Sequence, residues 1–226
     1  MPEPGTENET IEMTSSPRRW LWKLVAVSFL ILVGVGLSFA FYIGALGENF
    51  REVSAGNCYR SGQMSTESLQ EHIRTLKVAC VVNLRGMCKE TWYDNEIKLC
   101  ENNHVAHADF KIDPVRLPRP EVLHEMIQCF KQNPRPLLLH CRNGCDRTGL
   151  AATLYEIVVD KKGVRDAMAV QLSWRNGHIR SSKNDAAERF FELYEKNGGG
   201  KNIEDWIDNG YPAIYTSIGP YGSESK

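Results

Sequence analysis

The sequence contains no CxxC pair, no run of like charge and no internal repeat. Without paired cysteines at that spacing, neither a thioredoxin motif nor a zinc knuckle is written here. Cys88, Cys100, His104 and His107 are candidate metal ligands by type, but their spacing fits no common zinc pattern. No metal and no cofactor are therefore expected. Lys and Arg number 27 against 28 Asp and Glu, a net charge of -1. That balance lacks the basic excess of nucleic-acid binders, so nucleic acid is excluded as a partner. Cysteines number seven, at 58, 80, 88, 100, 129, 141 and 145, an odd count that cannot pair completely.

What the 226 residues do contain is one long stretch without charge. Residues 1–19 are polar and aperiodic, which reads as a disordered tail. Arg18, Arg19 and Lys23 then precede a 23-residue apolar run from Leu24 to Leu46, long enough to span a bilayer as a helix. Trp20, Trp22 and Tyr42 suit the interfacial belts. A cleavable signal peptide ending near Ser38-Phe39-Ala40 is one reading, but the run continues past that triplet. A single-pass signal anchor over 20–46 is the preferred one. The basic residues lie before the run, so the following domain is expected on the exported, periplasmic side. The abundance of free-standing cysteines pulls against export, because exported domains often pair theirs.

After the run, apolar segments alternate between strand-like and helix-like periods. Val78–Leu84, His104–Ile112 and Leu137–Leu139 read as strands. Helices are expected from Ser65 or Thr66 through Leu76, over Thr91–Asn102, Glu121–Gln132 and Gly163–Trp174, from Leu150 to about Asp160, and over Asn184–Asn197. The pattern predicts an α/β domain: a central, mostly parallel sheet flanked by helices, preceded by one N-terminal transmembrane helix. It is expected to occupy 47–200, with a polar tail over 201–226.

The most informative stretch is Pro136-Leu-Leu-Leu-His140-Cys141-Arg142-Asn143-Gly144-Cys145-Asp146-Arg147-Thr148-Gly149. It reads as a buried strand, a tight polar loop and a helix opening at Thr148 or Gly149. A helix N-terminus offers unpaired N–H groups and the positive end of its dipole, a ready place for phosphate. A cysteine at the mouth of such a loop is favoured as thiolate, its pKa falling from ~8.5 to ~3.5–7.5 in such settings. Arg147 adds a planar bidentate donor for two phosphoryl oxygens. The residues alone also admit a buried structural cysteine in a strand-to-helix turn, or a membrane-tethered phosphate-binding module without turnover.

This His-Cys, five residues, Arg-Thr-Gly pattern resembles the signature of the cysteine-dependent protein tyrosine phosphatases. It is most similar to their compact dual-specificity-like branch, which includes bacterial exported members. Tyr59-Arg60-Ser61-Gly62-Gln63 and Asn83-Leu84-Arg85-Gly86 resemble further segments of that family. The resemblance implies a cysteinyl-phosphate mechanism: Cys141 is the nucleophile, and the loop Arg142–Asp146 with Arg147 cradles the phosphate. It further implies that Thr148 hydrogen-bonds the sulfur and assists its departure, and that His140 orders the loop through backbone contacts. Arg85 reads either as a bridge to that loop or as a solvated strand-end arginine.

The family's general acid is an Asp roughly thirty residues upstream of the cysteine. Asp113, entering the loop that bears Pro114, Pro118 and Pro120, is preferred over Asp109, which reads as lying within a strand. Asp146 is assigned loop structure rather than acid catalysis. Cys145 is either a packing residue or a resolving thiol for an oxidised Cys141. The variable loop carries one cation and one anion, which favours phosphotyrosine or dual-specificity protein substrates over an inositol phosphate or phosphoinositide.

Overall fold

The computed structural model describes residues 17–45, 48–181 and 185–221. The tail expected at the N-terminus therefore lies, up to residue 16, outside the described residues, as do 222–226. Residues fall into two units, one ending at Gly47 and one beginning at Glu48.

The first unit is the helix α1, Pro17–Ala45. Its segment Trp20–Phe39 is long and apolar enough to cross a membrane, and its side chains are exposed throughout.

The second unit is built on a five-stranded sheet. Its strands are β1 (Arg51–Ser54), β2 (Cys58–Ser61), β3 (Cys80–Asn83), β4 (Ala106–Asp109) and β5 (Leu137–His140), in the order β1-β2-β5-β3-β4. Only the β1–β2 pair is antiparallel; β5 runs parallel to β2 and β3, and β3 to β4. The strand carrying the signature is thus the central one, buried on both faces as its Leu-Leu-Leu run requires.

Alternation along the strands divides the core in two. Tyr59, Val81 and Leu138 face a layer of α2 (Thr66–Leu76) and α3 (Thr91–Asn102), where they meet Leu69, Ile73 and Leu99. Cys58, Cys80, Val82, Leu137 and Leu139 face the larger layer. That layer comprises α4 (Pro120–Gln132), α5 (Asp146–Val158), α6 (Val164–Gln171), α7 (Ala186–Asn197), α8 (Ile203–Asn209) and α9 (Tyr211–Ile218). Ser65 caps α2, accepting the Ser68 N–H at 3.1 Å, as its placement before the amphipathic run predicts. Helix α5 is buried on nearly every face because helices close around it, so it shows almost no amphipathic stripe.

Three expectations are corrected. The helix after the signature opens at Asp146 rather than Thr148 or Gly149, placing Arg147 and Thr148 in its first turn. The helix expected over Gly163–Trp174 stops at Gln171, and a single 3-10 turn covers Trp174–Asn176. Residues 203–218 are no polar tail: α8 and α9 bury Trp206, Ile207 and Tyr211 against Phe190, with the Trp206 and Tyr211 rings 5.0 Å apart. Two helices of seven and eight residues are too short to show a persuasive period, and Gly198-Gly199-Gly200 reads as an ending.

Candidate active site

Parallel strands finish at the same end of a sheet, and ligand sites form there from the loops that follow. Here Ser61, His140 and Asn83 stand in register at the ends of β2, β5 and β3. Asp109, at the end of β4, pairs with Asn83. The segments Gly62–Gln63, Cys141–Cys145, Leu84–Gly86 and Phe110–Arg119 therefore emerge side by side.

The signature loop is held by its carbonyl groups. The N–H of Gln63 donates to the Arg142 carbonyl at 3.0 Å. Asn49 Nδ2 donates to that of Asn143 at 3.1 Å. Arg60 Nη2 donates to Gly144 O at 2.6 Å and Cys145 O at 3.4 Å. In a planar trans peptide a carbonyl pulled one way turns the next N–H the other way. Four tethered carbonyls thus set the N–H groups of Asn143, Gly144, Cys145 and Asp146 toward the loop's interior, a concave anion nest. The Gly144 N–H donates to Cys141 Sγ at 3.3 Å. Gly144 has φ +71°, and a Cβ there would meet Gly62 N at 2.6 Å, so only glycine allows this approach. Arg142 and Asn143 leave their side chains exposed.

Arg60 is wholly buried, with Nη1 held by the Gln171 backbone carbonyl at 2.8 Å and by Gln171 Oε1 at 2.7 Å. Burial lowers its pKa to about 10, opposed by the nearby Cys141 and Cys145 thiols. It remains a cation at neutral pH.

His140 ends β5 with its ring buried and its carbonyl accepting the Leu84 N–H at 2.9 Å. Its Nε2 lies 3.1 Å from Glu96 Oε1, the same oxygen that holds His107 Nε2 at 3.0 Å. Burial pushes the Glu96 carboxyl up, but the hydrogen bonds to His107 and His140 outweigh it and hold the pKa at about 2. Gln63 Nε2 reaches the other Glu96 oxygen at 3.3 Å, so one carboxylate links α3, β4, β5 and the segment after β2.

Thr148 Oγ1 donates to the Ser61 carbonyl at 3.4 Å, which ties α5 to β2 and differs from the sulfur contact implied by the resemblance. Asp146 is braced by His178, whose Nδ1 lies 2.6 Å from Oδ1. Glu188 Oε1 is 2.9 Å from His178 Nε2 by distance, without hydrogen-bond geometry. Burial pushes the His178 pKa down, and the two carboxylates more than reverse that, leaving it raised. The Cys145 thiol donates to the Asn143 carbonyl at 3.3 Å and packs against Gly177. Burial, then Asp146 and Cys141, push its pKa up to about 11.

Beside the loop lies a cavity of about 580 Å³. Arg147 lines it together with Arg85, Lys111, Asp113, Arg116 and Arg119. Asp113 sits in the Pro-bearing segment, half exposed, accepting the Val115 N–H at 2.9 Å and lying 3.7 Å from Arg116 Nε. Asp109 is turned away into structure: it accepts from Asn83 Nδ2 at 2.7 Å and Tyr93 OH at 2.6 Å. Arg85 faces the cavity, stacks 4.0 Å over the Trp92 ring and donates to Gln63 Oε1 at 3.2 Å. It bridges to the signature loop through Gln63, whose own N–H holds Arg142.

Sequence reasoning assigned no role to Asn49, Glu96, Gln171 or His178, and met Arg60 only as part of a resembling segment. Each is a single polar residue in an otherwise ordinary stretch. Among the described residues no group of three His, Cys, Asp or Glu side chains is placed to hold a metal ion.

No protein-family profile matches the chain. It is 29% identical over 106 residues to inositol diphosphatase DSP3 of Arabidopsis thaliana, which covers 45% of this chain and about half (50%) of that relative's length. Its fold is similar to that of TpbA from P. aeruginosa in complex with pTyr, with TM-score 0.53, 18% identity, and coverage of 72% of this chain and 92% of that one. It is similar also to the core catalytic domain of PP-IP phosphatase SIW14 from S. cerevisiae, with TM-score 0.52, 17% identity, and coverage of 75% and 92%. The chain shares the fold of the cysteine-dependent tyrosine and dual-specificity-like phosphatases.

Proposed function

We propose that the domain hydrolyses phosphomonoesters through a cysteinyl-phosphate on Cys141. The observation that carries this reading is the loop whose four tethered carbonyls aim successive N–H groups inward around the cysteine, beside Arg147. Cys141 attacks phosphorus in line, the S–P bond forms as the P–O bond breaks, and the nest with Arg147 stabilises charge on the equatorial oxygens. Asp113 protonates the departing oxygen from the cavity wall. Water then cleaves the S–P bond, and the thiolate leaves. Thr148 serves by fixing the first turn of α5 against β2.

Substrate choice follows from the cavity rather than from the loop alone. Five cations and one carboxylate line it. That excess favours a substrate carrying negative charge beyond the scissile phosphate, as an inositol phosphate or phosphoinositide does. The likeness to inositol diphosphatase DSP3 and to PP-IP phosphatase SIW14 supports this reading. Phosphotyrosine in a protein remains the second reading, supported by the single cation among the five variable loop residues and by the likeness to TpbA bound to pTyr. We further infer that α1 tethers the domain to a membrane as a single-pass anchor, with the domain on the exported side.

The test is turnover of an aryl phosphate in excess chelator by the protein and by Cys141→Ser, followed by an inositol polyphosphate, phosphoinositide vesicles and a phosphotyrosine peptide. Activity lost with Cys141→Ser and retained in chelator is expected, with the polyanionic substrates giving the highest kcat/KM. Equal activity in Cys141→Ser would overturn the mechanism; preference for the peptide would restore the second reading.

A further inference from the structure

We propose that Lys111 and Arg119 form a second anion subsite in the cavity beside the signature loop, which takes a phosphate of the substrate other than the one transferred to Cys141. This rests on the phosphatase reading of the same site and names the two residues that set its preference for a polyphosphorylated ring.

The cations that line the cavity are not equivalent. Arg116 is engaged: its Nε lies 3.7 Å from Asp113, the only carboxylate of the lining, and its guanidinium sits 5.0 Å over the Tyr221 ring. Arg85 is engaged as well, stacked on Trp92, donating to Gln63 and lying 3.5 Å from Glu90. Among the described residues Lys111, Arg119 and Arg147 have no carboxylate partner. Arg147 serves the transferred phosphate in the proposed mechanism. Lys111 and Arg119 are then two cations in one cavity whose anion has still to come from outside the chain.

Both side chains spring from fixed backbone. On either side of Lys111, the Phe110 N–H donates to the Asn83 carbonyl at 2.8 Å and that of Ile112 to the Leu84 carbonyl at 3.4 Å. The Lys111 stem packs on Gly86, where a Cβ would come within 2.8 Å of the lysine Cβ. Arg119 lies between Pro118 and Pro120, whose rings fix their own φ, and Tyr211 OH holds the Pro118 carbonyl at 2.8 Å. Only the exposed, charged ends of the two side chains have freedom to lose when an anion arrives, which keeps the ordering cost small.

The two cations flank the candidate acid in sequence, Lys111 before Asp113 and Arg119 after it, while Arg147 enters from α5. A single phosphate already has Arg147 and the loop N–H groups, so a monoester with one phosphate leaves Lys111 and Arg119 unused. The cavity has room for a ring beyond the scissile group, and Ile112, Leu117 and Tyr215 give it an apolar wall. The matching chemistry is a carbocycle bearing several phosphates. It comes either free, as an inositol polyphosphate, or as the headgroup of a phosphoinositide.

The test uses full-length protein in phosphatidylcholine vesicles and measures kcat/KM for three substrates, each divided by that for an aryl phosphate. The substrates are inositol hexakisphosphate, phosphatidylinositol bisphosphate in the same vesicles, and a phosphotyrosine peptide. Lys111→Gln and Arg119→Gln should each lower the ratio about tenfold for the polyphosphorylated substrates, and the double variant should lower it further, with the peptide ratio unmoved. A fall confined to the soluble compound assigns the ligand to solution, and one confined to the lipid assigns it to the membrane; either supports the subsite. Calorimetry on a Cys141→Ser background, comparing inositol hexakisphosphate with inorganic phosphate, reads the same preference without turnover. It decides the subsite even where no ester is hydrolysed, so the subsite and the phosphatase reading fail separately. Ratios unmoved in the double variant, or moved only for the peptide, would overturn the proposal.

Discussion

Glu96 on α3 holds Nε2 of His140 at 3.1 Å, one residue before the candidate nucleophile. The carboxyl is kept ionised far below the ordinary glutamate value of 4.5, at about 2, because its hydrogen bonds to His107 and His140 overcome the effect of burial. A carboxyl with a depressed folded-state pKa contributes stability that is complete above its unfolded value and is lost as pH falls through the folded one. The contribution is therefore full above about 4.5 and disappears toward about 2. Its size is on the order of 3 kcal/mol. Glu96→Gln should lower stability by about that amount at pH 7, and the deficit should shrink as denaturation is measured nearer pH 3. A deficit independent of pH would mean that packing, and not the ionised carboxylate, is what Glu96 supplies.

Sequence spacing alone left the general acid between Asp113 and Asp109, and the two differ in their surroundings. Asp109 is committed to Asn83 and Tyr93, while Asp113 stands on the cavity wall that includes Arg147. Asp113→Asn should slow turnover of esters with poor leaving groups by ~10²–10⁴-fold and leave good leaving groups nearly unaffected. Asp109→Asn should destabilise the domain by about 1–3 kcal/mol without changing the dependence on leaving group. Kinetics across a series of aryl phosphates of graded leaving-group pKa decides between them. A steeper leaving-group dependence in Asp109→Asn than in Asp113→Asn would move the acid to Asp109.

The signature was legible because its chemistry is contiguous: a strand, a loop and a helix start lie within fourteen residues. The parallel sheet was legible from alternating periods. What supports the signature was not, because Asn49, Arg60, Glu96, Gln171 and His178 come from five separated segments and converge only through the strand order. Glu96 in particular reads as one more polar residue on the wet face of an amphipathic helix. It is buried because His107 and His140, from two different strands, meet it there. The cationic cavity was hidden for a similar reason, since Arg85, Lys111, Arg116 and Arg119 follow two different strands.

We expect Cys145 to pack rather than to resolve an oxidised nucleophile. Its thiol donates to the Asn143 carbonyl and lies where a Cβ on Gly177 would come within 2.7 Å. With its pKa raised to about 11, little thiolate is available to attack a sulfenic acid. Protein inactivated by peroxide should therefore recover equally well with a thiol reductant in the presence and absence of Cys145→Ala. Peptide mapping should show no Cys141–Cys145 link, and finding that link would assign Cys145 the resolving role. Gly177→Ala should destabilise the loop through its contact with Cys145 and its φ of +73°.

The C-terminal helices bear on where the domain ends. Trp206 and Tyr211 are almost wholly buried and meet Phe190 on α7, the first tilted and the second edge-on, and α7 itself packs on α5, the helix that opens at the signature. Tyr211 OH donates to the Pro118 carbonyl at 2.8 Å, so α9 also holds the Pro-bearing segment that carries Asp113. Removing the chain after residue 200 would expose this aromatic cluster and release that segment, with loss of apolar burial far beyond a single side chain. A chain ending there should fail to unfold cooperatively, whereas Trp206→Ala in the full chain should cost about 3–5 kcal/mol. Tyr211→Phe keeps the ring and loses only the hydrogen bond, so it should cost about 1 kcal/mol and lower turnover of poor leaving groups more than of good ones. Denaturant melts and leaving-group kinetics on the three variants read both effects. A cooperative melt from the chain ending at 200, at the midpoint of the intact protein, would return these residues to the status of a tail.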